Sequence, residues 1–440
     1  MTRPSRERRL DRRRFLAASG ATGLALLAGC TDRIPIIGDS RQMLDGDALS
    51  AIADEEPPTV PETFPVDIEA SFVEQHRTAA QSKLDSVPAP FDDTEIPNGV
   101  IRERLNDDYD YARESLQRAN TAQTPYSRLG HTTHARVTSR QLQAAWRTIE
   151  SDLTRSDLEA AIPEISYEVH ALASRWSYVG DGPVRATVVH TEIEEELRGA
   201  RNWLTIRPEE FARIEGRPLE LGQVASDLEQ ARVSVAVASY LFDRFRGSLG
   251  DGTDQRSRFE RARRELRERL QREAESLPRE DIDDPTEFVD RDVDETAGIR
   301  ALAELARDAR RRVDDMGGSD DGPRLATELL LASRALAHLQ AYQSLRERIE
   351  NGDDVAIDDV EDVRALRSDA VVAIEEAREA EQGQLLVRAT LPRFANEIRW
   401  TDDRFADLSG SVSAESVTFD AVEYVVVAEL CRALPSASAD

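Results

Sequence analysis

From residue 66 onward the apolar residues recur every three or four positions, a period that commits the chain to helices packed side by side. Ile299, Leu302, Leu305, Ala309 and Val313 step by 3, 3, 4 and 4. Phe259, Ala262, Leu266, Leu270, Ala274 and Leu277 step by 3, 4, 4, 4 and 3, with charge on the remaining faces. Val189, Ile193, Leu197, Ala200 and Leu204 repeat the pattern, as do Val360, Val363, Leu366, Ala370, Ile374 and Ala377. Stripes this narrow suit amphipathic helices with one face on a core. Val233–Phe242 and Leu325–Leu345 are apolar over more of their circumference, which predicts central helices packed on several sides. Neither contains the roughly 18 uninterrupted apolar residues of a membrane span. No stretch alternates convincingly with period two. The predicted fold class is therefore all-α: an elongated helical bundle, or two adjoining bundles of αα-hairpins, with about ten to twelve helices.

Start and stop signals divide these helices. Ser156-Asp157-Leu158-Glu159 has the form of a capping box. Pro163 should kink or restart the helix that contains it, and Pro183 suits a first helical turn after Gly180-Asp181-Gly182. The run from Gly317 to Pro323 reads as a loop and is the expected boundary between subdomains at 66–316 and 323–440, with 278–296 second. Gly-Asp turns recur at 180–182, 250–252 and 352–354 at unequal separations. This spacing fits repeated helical hairpins but not a regular solenoid.

Charge sets the solvent. The chain has 57 basic and 85 acidic residues, a net charge of −28, and Lys83 is its sole lysine. The acids are spread along the chain and not gathered in a tail. In dilute buffer such self-repulsion opposes the compact state. At molar salt the screening length falls to about 3 Å and the repulsion fades. A nucleic-acid partner is excluded, because phosphate binding needs a basic footprint.

The N-terminus has its own organisation. Seven arginines precede a mild apolar stretch from Leu16 to Ala28, about 20 Å as a helix and too short for a stable span. Arg12, Arg13, Phe15 and Leu16 resemble the twin-arginine motif of an export signal, with Asp11 before the pair. Leu27, Ala28, Gly29 and Cys30 resemble a lipobox. Together with the acidic, lysine-poor composition, the chain resembles a twin-arginine-exported lipoprotein of haloarchaeal type. That resemblance implies a signal peptide at 1–29, a lipid on Cys30, and a body at the extracytoplasmic face of the cell membrane. Removing residues 1–29 leaves 50 basic and 83 acidic residues, a net −33. Residues 30–65, with acids and Pro35, Pro57, Pro58, Pro61 and Pro65, read as a flexible tether reaching roughly 30 Å on average. A short helix around 41–53 fits within it.

Few residues point to chemistry. His131 and His134 have a spacing that places two imidazoles on one helical face. His190 and Glu194 form an i, i+4 pair among other glutamates. These four are the candidate metal ligands, although the paired Glu-x-x-His motifs of di-iron bundles are missing. Trp146, Trp176, Trp203 and Trp400, with Tyr167, Tyr178 and Tyr240, fall largely on apolar stripes and read as core. Arg261, Arg263, Arg264, Arg267 and Arg269 lie among glutamates and read as an ion-paired exposed face. Cys431, beside Leu430 and Leu434, reads as a buried inert thiol. No nucleophile elbow, phosphate-binding glycine loop or Cys-x-x-Cys pair occurs. The expectation is a non-enzymatic, cofactor-free structural or interaction module of the cell surface. Its contacts would be the membrane, through the lipid on Cys30, and a protein partner or a second copy, through helix faces. The alternative is a ligand- or metal-binding lipoprotein associated with a transporter.

Overall fold

The computed structural model describes residues 42–205, 213–278, 284–315, 324–380 and 384–439. Arg12, Arg13, Cys30 and the rest of the signal and lipobox lie outside the described residues, as does the 317–323 loop. The fold is all-α. Its helices are α1 (Gly46–Ala53), α2 (Ala70–Leu84), α3 (Gly99–Thr121), α4 (Pro125–Ile149), α5 (Arg155–Glu159), α6 (Ile162–Arg175), α7 (Pro183–Trp203) and α8 (Pro218–Ser248). They continue with α9 (Arg256–Ala274), α10 (Ala297–Asp315), α11 (Leu325–Glu350), α12 (Val360–Glu379), α13 (Gln384–Ala406) and α14 (Ala414–Ala439). The two shortest, α1 and α5, have 8 and 5 residues, and they lie where a short helix around 41–53 and a helix start near Ser156 are expected. Among the described residues the strands form two short antiparallel pairs, β1 (Met43–Asp45) with β4 (Ser411–Ser413) and β2 (Val179–Gly180) with β3 (Thr253–Asp254). The second pair joins two of the Gly-Asp turns: Gly180 sits opposite Thr253.

The punctuation acts mostly as its chemistry requires. Pro163 restarts the chain as α6 and Pro183 occupies the first turn of α7. The predicted box at Ser156–Glu159 is displaced: α5 is headed by Thr154, whose backbone N–H donates to Asp157 Oδ2 at 2.9 Å.

Two layers of core follow. In the first half, α4 is central, packed by α2, α3 and α8, and α8 in turn packs on α6 and α7. Gly222 of α8 lies so close to α4 that an added Cβ would stand 2.9 Å from the Gln141 carbonyl oxygen. In the second half, α14 packs against α10, α11, α12 and α13. The predicted stripe of α10 is its buried face, with Ile299, Leu302, Leu305 and Ala309 fully covered. The two apolar-all-round segments lie inside α8 and α11, both heavily buried. The divide between the cores runs through α9. Phe259 belongs to the first core, Leu270 to the second, and Leu266 packs against both. The glycine-rich 317–323 loop is not that divide, because α10 before it and α11 after it share one core. Helix α7 carries the junction, packing on α11 and α13.

Residues 42–65 are not a free tether. Leu44, Leu49 and Ile52 are buried in the second core, and α1 packs on α13 and α12. β1 adds to β4 with Met43 opposite Ser413. Gly46 N–H donates to the Gly410 carbonyl at 2.6 Å, an approach that a Cβ on residue 46 would block at 2.9 Å from Ser409. Arg367, 3% exposed, holds the end of this segment. It donates to the Glu55 carboxylate at 3.0 Å and the Glu55 carbonyl at 2.8 Å while gripping Asp402 with two bonds of 2.9 Å. Acids and prolines make the segment resemble disordered chain, but three apolar side chains and one arginine dock it.

Candidate functional site: an arginine-lined cleft

The histidines and glutamate singled out from the sequence are used structurally. His190 on α7 is fully buried among Trp176, Tyr178, Phe245 and Phe259. Trp176 Nε1 donates to its Nδ1 at 3.1 Å, so its Nε2–H donates to the Val179 carbonyl at 2.8 Å. Burial pushes its pKa down to about 4. With both nitrogens occupied, the ring offers no lone pair to a metal. Glu194, one turn on, reaches across to α11. Its Oε1 accepts from Tyr178 Oη at 2.5 Å and Ala326 N–H at 3.1 Å. Its Oε2 accepts from Thr327 N–H at 2.7 Å and Thr327 Oγ1 at 2.6 Å. Glu194 thus caps the N-terminus of α11 from another helix, where a carboxylate suits both the orphan N–H groups and the dipole. Burial raises its pKa against the pull of these donors.

His131 and His134 lie on α4, with His134 edge-on to Tyr111 at 5.1 Å. Among the described residues, no group of three or more His, Cys, Asp or Glu is placed to hold a metal. Cys431 is fully buried, and burial lifts its thiol pKa far above the usual range. The aromatic expectation holds for Tyr178, which is buried, but not for Tyr167, Trp203 and Trp400, which are exposed.

The site the sequence did not announce is a cleft of about 710 Å³ where α7, α11 and α13 meet. Each helix lines it with a stripe of helical period: Val188, Thr191, Glu192, Glu195 and Arg198 on α7; Thr327, Leu330, Leu331 and Arg334 on α11; Arg388, Ala389, Pro392, Arg393, Asn396 and Trp400 on α13. Glu62, Phe64 and Tyr126 close one end, and Phe64 stacks on Tyr126 with centroids 4.9 Å apart and planes at 10°. Pro392, inside α13, has no N–H for the carbonyl of residue 388. A narrower cavity of about 50 Å³ adjoins the cleft and shares Arg334 and Arg393 with it.

The electrostatics of this cleft oppose those of the rest of the molecule. Five arginines (198, 324, 334, 388 and 393) face three glutamates (62, 192 and 195), a local excess of +2 in a chain of −28. Glu195 is claimed twice, by Arg198 at 2.7 Å and Arg324 at 3.0 Å. Glu192 bonds Tyr126, and burial raises its pKa. Arg393 reaches Glu397 at a long 3.4 Å. Among the described residues, Arg334 and Arg388 have no carboxylate within ion-pair distance. Arg334 is the more constrained. Its Nε is buried without an acceptor, and burial, Arg393 and Arg312 together push its pKa down to about 10. One turn on, His338 donates from Nδ1 to the Arg334 carbonyl at 2.7 Å and accepts from Arg312 Nε at 3.2 Å. Burial and that arginine hold its pKa at about 3, so it stays neutral beside Arg334. Thr191 Oγ1 and Arg324 Nε are also buried without partners at this site.

A buried cation without a counter-charge is costly, and an anion in the cleft would remove that cost. Arg334 and His338 carried a sequence signal: Leu325–Leu345 is apolar nearly all round, and an arginine in such a helix must face a cavity or an acid. The signal names the residue and not its neighbours, since Arg388 and Arg393 lie more than fifty positions away.

Comparison with known proteins divides the chain just before α9, the helix through which the cores divide. Residues 71–251 match the family model of a domain of unknown function, DUF8262, and residues 256–440 match that of a second, DUF8264. No curated protein and no solved structure matches the chain. The α7 stripe falls in the first matched region and the α11 and α13 stripes in the second, so the cleft lies on the seam between the two.

Proposed function

We propose that this protein is an extracytoplasmic lipoprotein, anchored through a lipid on Cys30 and adapted to high salt, whose helical body binds a small anionic solute in the cleft between α7, α11 and α13. The observation that carries the reading is Arg334, a largely buried guanidinium flanked by two further arginines, with Glu195 too distant to pair with it and its Nε without an acceptor. A cleft of this volume is in the range of small-molecule sites, and its position between helices of a bundle is a common one. A binding component that supplies a membrane transporter fits such a cleft. No reaction is proposed.

A surface module working through apolar helix faces has less support. The large exposed apolar side chains are spread over β1, α3, α6, α7, α12, α13 and α14, with at most two on any one element. The anchor rests on Arg12, Arg13 and the Leu27–Cys30 run. The packed body begins at Gln42, so Cys30 and the body are joined by eleven residues that span roughly 40 Å at most. Two measurements test the proposal. Titration calorimetry of the mature chain at molar salt, with inorganic sulfate, acetate and phenylacetate as probes, should show saturable binding of at least one that Arg334→Gln weakens. No binding of any probe would refute the solute reading. Replacing Cys30 by Ser should release the protein from the membrane, and retention would refute the lipid anchor.

A further inference from the structure

The cleft is only partly polar, and the arrangement of its apolar part bears on what it holds. Resting on the anion-binding reading above, we infer that the ligand is an organic carboxylate with a flat, apolar body, an aromatic or alicyclic acid about 10 Å long. Its carboxylate meets Arg334 and the Arg388–Arg393 end of α13, and its ring lies between the Phe64–Tyr126 pair and Trp400.

Three observations support this. The first is size. A water-sized volume is about 30 Å³, and an inorganic oxyanion is only a few times larger. A cleft of about 710 Å³ would leave such an ion mostly in contact with solvent. The second is the composition of the walls. Leu331 is the part-exposed apolar wall, Val188 and Leu330 are buried beneath Phe64, and the stacked Phe64 and Tyr126 line the cleft beside them. An anion site made for a fully hydrated ion has no use for these surfaces, whereas a ring buried on them gains from leaving water and from offset stacking. The third is spacing. Trp400 is 56% exposed although it lines the cleft, so its indole is available to a ligand. It stands seven residues beyond Arg393 on one helix, about 10 Å at 1.5 Å per residue. That separation matches the distance from a carboxylate to the far edge of a one- or two-ring body. A planar guanidinium also suits a carboxylate, which it can grip with two parallel bonds.

The test uses the mature chain at molar salt, with titration calorimetry against phenylacetate, acetate, inorganic sulfate and phenylacetamide. Phenylacetate should bind at least about tenfold more tightly than acetate or sulfate, and the uncharged amide should not bind. Arg334→Gln should weaken phenylacetate by about tenfold or more, with Arg334→Lys in between. Trp400→Ala should weaken phenylacetate and leave acetate and sulfate unchanged. Circular dichroism should match the parent protein for both, with Trp400→Ala melting near the parent and Arg334→Gln no lower than it, since the glutamine relieves a buried charge. If sulfate binds, Arg334→Gln abolishes that binding and phenylacetate neither binds nor competes, the ligand class is overturned while the anion site stands. If phenylacetamide binds as tightly as phenylacetate, the arginine role is overturned. If nothing binds, both readings fall.

Discussion

Replacing Asp402 by alanine should destabilise the fold by about 3–5 kcal/mol, the cost of leaving a buried charge without its partner. Asp402 on α13 is 4% exposed and meets Arg367 on α12, 3% exposed. It accepts two bonds of 2.9 Å from that guanidinium and one of 2.6 Å from Tyr424 Oη on α14. Alanine removes both acceptor oxygens, and all three bonds with them. Arg367 would then keep only the Glu55 carboxylate, which is 44% exposed and screened by solvent, and backbone carbonyls. Most of the charge would be uncompensated, and the Tyr424 hydroxyl would also lose its acceptor, itself worth about 1 kcal/mol. The pair as a whole contributes much less than this, because both ions lost their water on burial. An Arg367→Met, Asp402→Leu double replacement should therefore recover most of the loss. Urea unfolding at molar salt, followed by circular dichroism, gives all three free energies. A single Asp402→Ala variant within 1 kcal/mol of the parent, or a double variant as unstable as the single, would refute the reasoning. Hydrogen exchange should show α1 opening first in the single variant, since Arg367 also holds Glu55.

Three further outcomes are expected. Glu194→Gln exchanges one of two acceptor oxygens for an amide, so two of its four donors lose their partner; the loss should be about 2–4 kcal/mol in the same assay, and hydrogen exchange should rise at Ala326 and Thr327. Glu423 is pushed up to about 7 by burial and by Glu304 and Glu397. A carboxyl with a folded pKa above its unfolded value stabilises while protonated, so stability should fall as pH rises from about 4.5 to 7, and Glu423→Gln should flatten that slope. Finally, with a net charge of −28, the denaturant midpoint should climb steadily from dilute buffer to molar potassium chloride as the screening length shrinks from about 10 Å at 0.1 M to about 3 Å.

The parts of this structure legible in the sequence are those governed by near neighbours. The 299–313 stripe names its own buried face, and Pro163 and Pro183 place helix starts, because period and backbone chemistry are local. His190 and Glu194 were visible as a pair, but their roles were not. One completes a bond from Trp176 to the Val179 carbonyl, and the other caps a helix that begins 131 residues later. The cleft was hidden for the same reason. Its stripes lie on three helices far apart in the chain, and only their meeting makes an excess of arginine over glutamate. Residues 42–56 misled in the other direction. They lie within the expected tether, where only a short helix was legible, yet Leu49 and Ile52 are fully buried by helices more than 300 positions away.

The pairing of β1 with β4 also orders events in time. Met43 stands opposite Ser413, so β1 has no place to dock until the chain has been synthesised past β4. Contacts of such sequence separation form late, since the entropy of closing the loop must be met before they return anything. Seating of the first packed residues therefore reports that the last helices are already in place. β1 acts as a latch, and it closes only once β4 has been made.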